Sequence, residues 1–244
     1  MRFNGIDLRE VHPALSVAKE IYPGMARREV TTVRGTGGET FAGIHGERSE
    51  AVLRVNIAAR TRQDAYEARA ALAAWAASSG ENTAPLEPTH WPGKAYDAIV
   101  ESVSEPEFVF GHAVVEVTFI LPGGYARDTM TRSAYGAGKM TAHIGGSKKV
   151  RPVIRQTIKT KRSSLTLSVD GKPFLRMQDG YAPEAGAVIE ADFEQEALLV
   201  NGAHAEKHID FTATTWQPHL SPGRHEITST DGGEMEMRWH DEWI

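Results

Sequence analysis

Residues 51–58 read AVLRVNIA and residues 61–80 read TRQDAYEARAALAAWAASSG. The first stretch places Leu53, Val55 and Ile57 on one face and Arg54 and Asn56 on the other. That period of two describes a half-buried strand. The second stretch is helical. Thr61 can cap its first turn, and Asp64, three residues on, suits a capping box and the positive end of the helix dipole. Ala65, Ala68, Leu72, Trp75 and Ala76 share one face, and Gly80 supplies a stop. The narrow, alanine-rich stripe predicts a helix lying flat on a sheet or on a neighbouring subunit.

Outward from this pair the pattern is mainly β. Pro85, Pro88 and Pro92 exclude a central strand or helix interior over that passage. Strands are expected at 96–103 and 113–120; in the latter Val115, Val117 and Phe119 alternate with Glu116 and Thr118. Residues 129–147 are poor in large apolar side chains and rich in Gly, Ser and Thr. They read as a linker between a first domain, 1–128, and a second, 148–244. The second domain offers short strands at 153–158, 165–169, 174–177, 187–193, 197–200 and 234–239. Asp170-Gly171 and Asn201-Gly202 are hairpin turns between them. Such spacing argues for a β-sandwich, so the fold class is mainly β, a β-rich α+β chain.

The 244 residues can bury a substantial core, and none of them is cysteine. This excludes a disulfide scaffold, a thiolate metal site and a cysteine nucleophile. The formal charge is −5, which disfavours a dedicated duplex-DNA binder. No apolar run approaches the ~20 residues that span a bilayer, so no membrane insertion is expected. The N-terminus lacks the charged and apolar blocks of an export signal.

The candidate chemistry is thin. Gly35-Thr36-Gly37-Gly38 lacks the Lys of a Walker loop and the following helix of a dinucleotide loop, and reads as a hairpin tip. Arg27, Arg28 and Arg34 flank Gly35, Gly37 and Gly38, so this hairpin could reach a partner subunit. His204 and His208 would lie roughly 13 Å apart on a strand, too far for one metal. Glu190, Asp192 and Glu194 alternate as carboxylates do on a solvated sheet face. Gly145-Gly146-Ser147-Lys148 is no nucleophile elbow. Lys148, Lys149, Arg151, Arg155, Lys159, Lys161 and Arg162 form a run with no acid within it, a solvated face or a contact for an acidic protein. Trp239 is in phase with Met235 and Met237 and belongs to a core, whereas Trp216 and Trp243 could contact a sugar or a partner. No catalytic residue, cofactor or metal is expected.

The order of elements resembles the siphophage distal tail protein (Dit) family. The residues that carry the likeness are the opening Phe3-Asn4-Gly5-Ile6-Asp7, the glycine-rich turn, the strand and alanine-bearing helix, and Pro92-Gly93-Lys94-Ala95-Tyr96. The turn at Ser221-Pro222-Gly223 and the final Trp-bearing strands complete it. The resemblance implies a tail-tube-like first domain and a galectin-like or carbohydrate-binding-module-like sandwich. It implies a non-enzymatic virion protein, a hexameric ring acting as distal tail hub. Its partners would be further copies of itself, the tail tube protein, the tail-tip or baseplate protein and a receptor-binding protein, with DNA only as passing cargo. The subunit contact would involve the Arg27–Gly46 region. The alternatives are a sugar-binding adhesion module on the tail and, third, an enzyme with the sandwich as accessory.

Overall fold

The structure is a computed structural model. It describes residues 1–22, 28–35, 38–46, 49–109, 111–161, 164–178, 181, 183–212 and 219–243, with 28–46 described by backbone alone. The chain divides into two compact units, Met1–Arg127 and Asp128–Trp243.

The first unit runs β1 (Arg2–Phe3), β2 (Ile6–Asp7), α1 (Leu8–Val11), β3 (Leu15–Ile21), β4 (Arg28–Gly35), β5 (Gly38–Gly46), β6 (Glu50–Ile57), α2 (Arg62–Ala76), β7 (Ala84–Glu87), β8 (Lys94–Val103), β9 (Glu107–Val109), β10 (His112–Ile120) and β11 (Ala126–Asp128). Its main sheet has the order β2-β1-β7-β8-β10-β6-β3. β6 and β10 form its centre, pairing Val55 with Val115 and Leu53 with Val117. All four side chains are buried.

The helix α2 is capped as its sequence demands. The Thr61 hydroxyl accepts from the Asp64 amide and the Asp64 carboxylate accepts from the Thr61 amide, each at 3.1 Å. Its buried face is Ala65, Ala68, Leu72, Trp75 and Ala76. Trp75 meets Phe3 of β1 and Phe119 of β10 at 5.7 and 6.3 Å between ring centres. The helix therefore lies on a sheet, one of the two settings its stripe allowed. The Trp75 indole donates to the Ile6 carbonyl at 3.1 Å, so its polar edge is satisfied.

One expectation fails in this unit. The proline passage does hold an interior strand, β7, between β1 and β8, and Pro85 lies within it. The Pro85 carbonyl accepts from the Asn4 amide at 3.0 Å. A strand residue turns its N–H and C=O to the same side. The missing proline donor therefore falls where β1 is already turning into β2, and no ladder bond is lost.

The second unit contains β12 (Arg132–Ala137), β13 (Lys139–Ile144), β14 (Val153–Thr157), β15 (Thr166–Val169), β16 (Lys172–Arg176), β17 (Val188–Asp192), β18 (Ala197–Val200), β19 (Ala203–His204), β20 (Gly223–Ser229), β21 (Glu234–Trp239) and β22 (Glu242–Trp243). One sheet has the order β12-β21-β14-β17-β18-β19 and the other β13-β20-β15-β16. Their inward side chains form one core that includes Met140, Ile154, Phe174, Ile189, Phe193, Met237 and Trp239. Phe174 and Phe193 meet edge to face at 5.4 Å. Across the core, Gln156 of β14 and Ser229 of β20 exchange hydrogen bonds at 2.7 and 3.0 Å, so the buried amide is paired.

Residues 129–147 are therefore not a linker. They supply one edge strand to each sheet, and the chain crosses between sheets at Gly138. Ala134, Met140, Ala142 and Ile144 point inward. Alanine at 134 and 142 and glycine at 136 and 138 leave the alternation little hydrophobic contrast. Gly138 has φ 67° and a Cβ there would lie 2.7 Å from the Gly232 Cα. Its amide donates to the Gly233 carbonyl at 2.8 Å. Gly138→Ala should destabilise the second unit by roughly 2 kcal/mol or more, measured by urea denaturation.

The turn Asp170-Gly171 joins β15 to β16 with φ 50° and 76°. Asp170 accepts from the Glu226 amide at 2.9 Å and faces the His225 ring at 2.7 Å. That amide first, and then the His225 ring, hold the Asp170 carboxyl below its ordinary value. A depressed carboxyl stabilises the fold above the unfolded pKa, about 3.9, and the gain is lost as pH falls through the folded value. Asp170→Asn should therefore be less stable than the natural chain at pH 7. The gap should narrow below about pH 4, read from denaturation midpoints at several pH values.

Candidate functional site

The features that stand out in the first unit are unpaired strands. β3 and β6 are antiparallel neighbours, from Leu15 opposite Ile57 to Ile21 opposite Val52. The segment between them carries β4 and β5, which pair from Arg28 opposite Gly46 to Gly35 opposite Gly38. Among the described residues this hairpin joins no other strand. Eight residues at roughly 3.3 Å each give an arm of about 26 Å. Arg28, Arg34, Gly35 and Gly38 lie on it, with Gly35 and Gly38 at the tip; Arg27 and Gly37 lie outside the described residues.

The root of the arm is held by contacts that the sequence did not announce. Tyr22, just after β3, stacks on Tyr96 at 5.2 Å and meets His90 at 5.1 Å. Glu20 accepts from the Thr89 amide at 3.0 Å and faces His90 at 3.2 Å. Burial pushes the Tyr22 phenol well above its usual range, so it stays neutral. β3 itself is the last strand of the main sheet, and among the described residues its outer edge has no partner strand. Val17 and Ile21 are more than a third exposed there.

In the second unit the aromatic candidates are engaged internally. Trp239 is core, and its indole donates to Asp241 at 2.9 Å. Asp241 also accepts from the Gly145 amide at 2.7 Å. The Trp243 indole donates to Asp128 at 3.2 Å. Arg132 lies 3.3 Å from Asp128 and 3.6 Å from Asp241, balancing two buried carboxylates. The Gly145-Gly146 pair is thus a packing requirement. A Cβ on Gly146 would lie 2.1 Å from the Glu242 carbonyl oxygen. Trp216 lies outside the described residues.

The remaining charged groups are dispersed. Glu190 sits 3.8 Å from Arg238, and Asp192 accepts from the Glu194 and Gln195 amides, closing the turn after β17. From the basic run, Lys148 meets Glu242 at 3.2 Å, Arg151 meets Glu196 at 3.8 Å, and Lys161 meets Glu184; Arg162 lies outside the described residues. His204 lies 2.8 Å from Glu206, and this hydrogen bond above all lowers the Glu206 carboxyl to about 2. His208 instead stacks on Tyr181 at 3.7 Å. Among the described residues no group of three or more His, Asp or Glu could hold a metal ion. No described helix is long and apolar enough to cross a membrane.

Residues 145–243 match the family of the siphovirus-type tail component, C-terminal domain. No curated protein matches the chain by sequence. Among solved structures, the crystal structure of SPP1 Dit is described as a paradigm of the hub adsorption apparatus in phages infecting Gram-positive hosts. It aligns with a TM-score of 0.80 at 13% identity, over 99% of this chain and 98% of that one. The phage P2 baseplate in its activated conformation with Ca aligns at a TM-score of 0.47 and 9% identity, over 93% and 90%. Residues 145–243 thus carry the siphovirus-type tail component C-terminal domain, and over its full length the chain has the fold of SPP1 Dit.

Proposed function

We propose that this protein is the distal tail hub of a siphophage, a structural ring of six copies between the tail tube and the tail tip or baseplate. The observation that carries the reading is the whole-chain likeness to SPP1 Dit, joined to the family match of the C-terminal domain. The first unit is suited to ring closure. A free sheet edge on β3 and a hairpin that pairs with nothing described leave backbone donors and acceptors for a neighbouring copy. A two-stranded hairpin alone in water is marginal, so contact with a neighbour would stabilise it. The contact is head to tail, and it closes because rotation closes. Arg27, Arg28, Arg34, Gly35, Gly37 and Gly38 belong to this interface.

The sheet face turned away from α2 carries Arg54 against Glu116. Such a self-neutralised face suits a wall past which DNA moves without being gripped. The protein has no catalytic role in this reading, and its other contacts are the tube protein, the tip or baseplate protein and a receptor-binding protein. A second reading, sugar binding by the sandwich, is favoured by Tyr135. It is 69% exposed, and its hydroxyl donates to Glu236 at 3.1 Å on the outer face of the larger sheet.

Native mass spectrometry should give a hexamer, and class averages should show a six-fold ring with a central hole; a stable monomer at micromolar concentration would overturn the hub. Replacing residues 28–46 by a short Gly-Ser turn should leave a folded monomer with unchanged thermal unfolding of the second unit. A glycan array that gives a hit lost in Tyr135→Ala, and not in Trp243→Ala, would support the second reading.

A further inference from the structure

The start of α2 carries a cationic cleft that neither the fold nor the proposed ring uses. A cavity of ≈ 220 Å³ opens between the β6–α2 connection and the β9–β10 turn, and Arg60, Arg62, Phe108, Val109, His112 and Ala113 line it. The Arg62 guanidinium lies over the Phe108 ring, 5.2 Å from its centre. Tyr66 flanks Phe108 at 6.3 Å. Phe108 is 42% exposed and Tyr66 47%, so an aromatic pair borders the cleft in solvent. Thr61 and Asp64 cap each other's amides at the helix start, and the Arg60 and Arg62 side chains bring two positive charges to the cleft.

Arg60 and Arg62 stand apart from the other arginines of this unit whose side chains are described. Arg2 and Arg9 share Asp7, Arg54 faces Glu116, Arg69 faces Glu105 and Arg127 faces Asp97. Arg60 and Arg62 have no carboxylate partner among the described residues, although Asp and Glu outnumber Lys and Arg in residues 1–128. An arginine resting on an aromatic ring keeps its fork of donors free and pre-oriented for a carboxylate. The cavity is smaller than the roughly 300 Å³ at which small-molecule sites begin, which suits a side chain of a macromolecule. A nucleic-acid backbone would call for a stripe of cations, and this patch has two arginines within an acidic unit.

We propose that this cleft binds an acidic segment of a partner protein, seating one apolar side chain against Phe108 and pairing neighbouring carboxylates with Arg60 and Arg62. The test is a fluorescence-anisotropy titration of the full chain with octapeptides carrying four Asp or Glu around one Leu or Phe. Binding is expected at low salt and should weaken with added salt. It should fall at least tenfold in Arg60→Ala/Arg62→Ala, fall in Phe108→Ala, and be largely kept in Arg60→Lys and in the remote control Lys149→Ala. Thermal unfolding shows that each variant is folded. Equal binding by the Asn/Gln versions of the peptides, equal binding by the double variant, or no peptide binding at all would overturn the proposal. So would displacement of the peptide by duplex DNA at equal charge.

Discussion

The register of β6 against β10 governs the first unit. Ala51, Leu53, Val55 and Ile57 face Phe119, Val117, Val115 and Ala113 in turn, and all eight side chains are buried. A slip by one residue would carry Arg54 and Glu116 into the core and Leu53 and Val117 into water. Burial of an unpaired charge costs several kcal/mol, so the register has no close competitor. Everything else is placed from it. Phe119 presents its ring to Phe3 and Trp75, which seats α2. β6 in turn holds β3, and Ile21 opposite Val52 fixes where the arm leaves the sheet.

That chain of placement explains which parts of the fold were legible. Contrast within a short window carries a strand or a capped helix, and the stretches AVLRVNIA and TRQDAYEARAALAAWA have it. β12 does not, because Ala134 and Gly136 occupy inward positions where a larger residue would mark the period, and in β13 Ala142 separates Met140 from Ile144. Gly138 must be small to pass Gly232, and this close approach between distant segments leaves no local sign. Pro85 misled for a related reason. Whether a strand tolerates proline depends on what its missing donor would have faced, and that neighbour, Asn4, is 81 residues away.

The candidate site was legible in outline only. The glycines at 35 and 38 mark a hairpin tip by backbone freedom, which is a local property, and the hairpin is there. The aromatic clamp at its root joins Tyr22 to His90 and Tyr96, and the pairing of Arg132 with Asp241 joins residues more than a hundred positions apart. Both are products of the strand order. Trp243 reads from the sequence as a candidate sugar or partner contact, and the structure adds that its N–H donates to Asp128, a bond between residues far apart in the chain. Tyr135 carries no such sign, because one aromatic in a Gly- and Ser-rich stretch has no period to belong to.

The unsatisfied features of the first unit point in one direction. An edge and an arm without strand partners among the described residues are costly for an isolated chain: they offer backbone hydrogen bonds to any other edge and invite aggregation. Proteins that remain monomeric blunt such edges with charge, proline or a bulge. β3 has a bulge between Val17 and Lys19 and one lysine, but it also exposes Val17 and Ile21 along the same strand. This combination permits pairing and restricts its geometry, because the bulge accepts only a partner edge that follows its bend. In the proposed ring each copy meets identical copies in a fixed orientation. An edge left open but shaped meets that need better than an edge fully blocked or fully flat. The arm extends the same logic, since its length is useful only if its backbone finds a surface beyond its own chain.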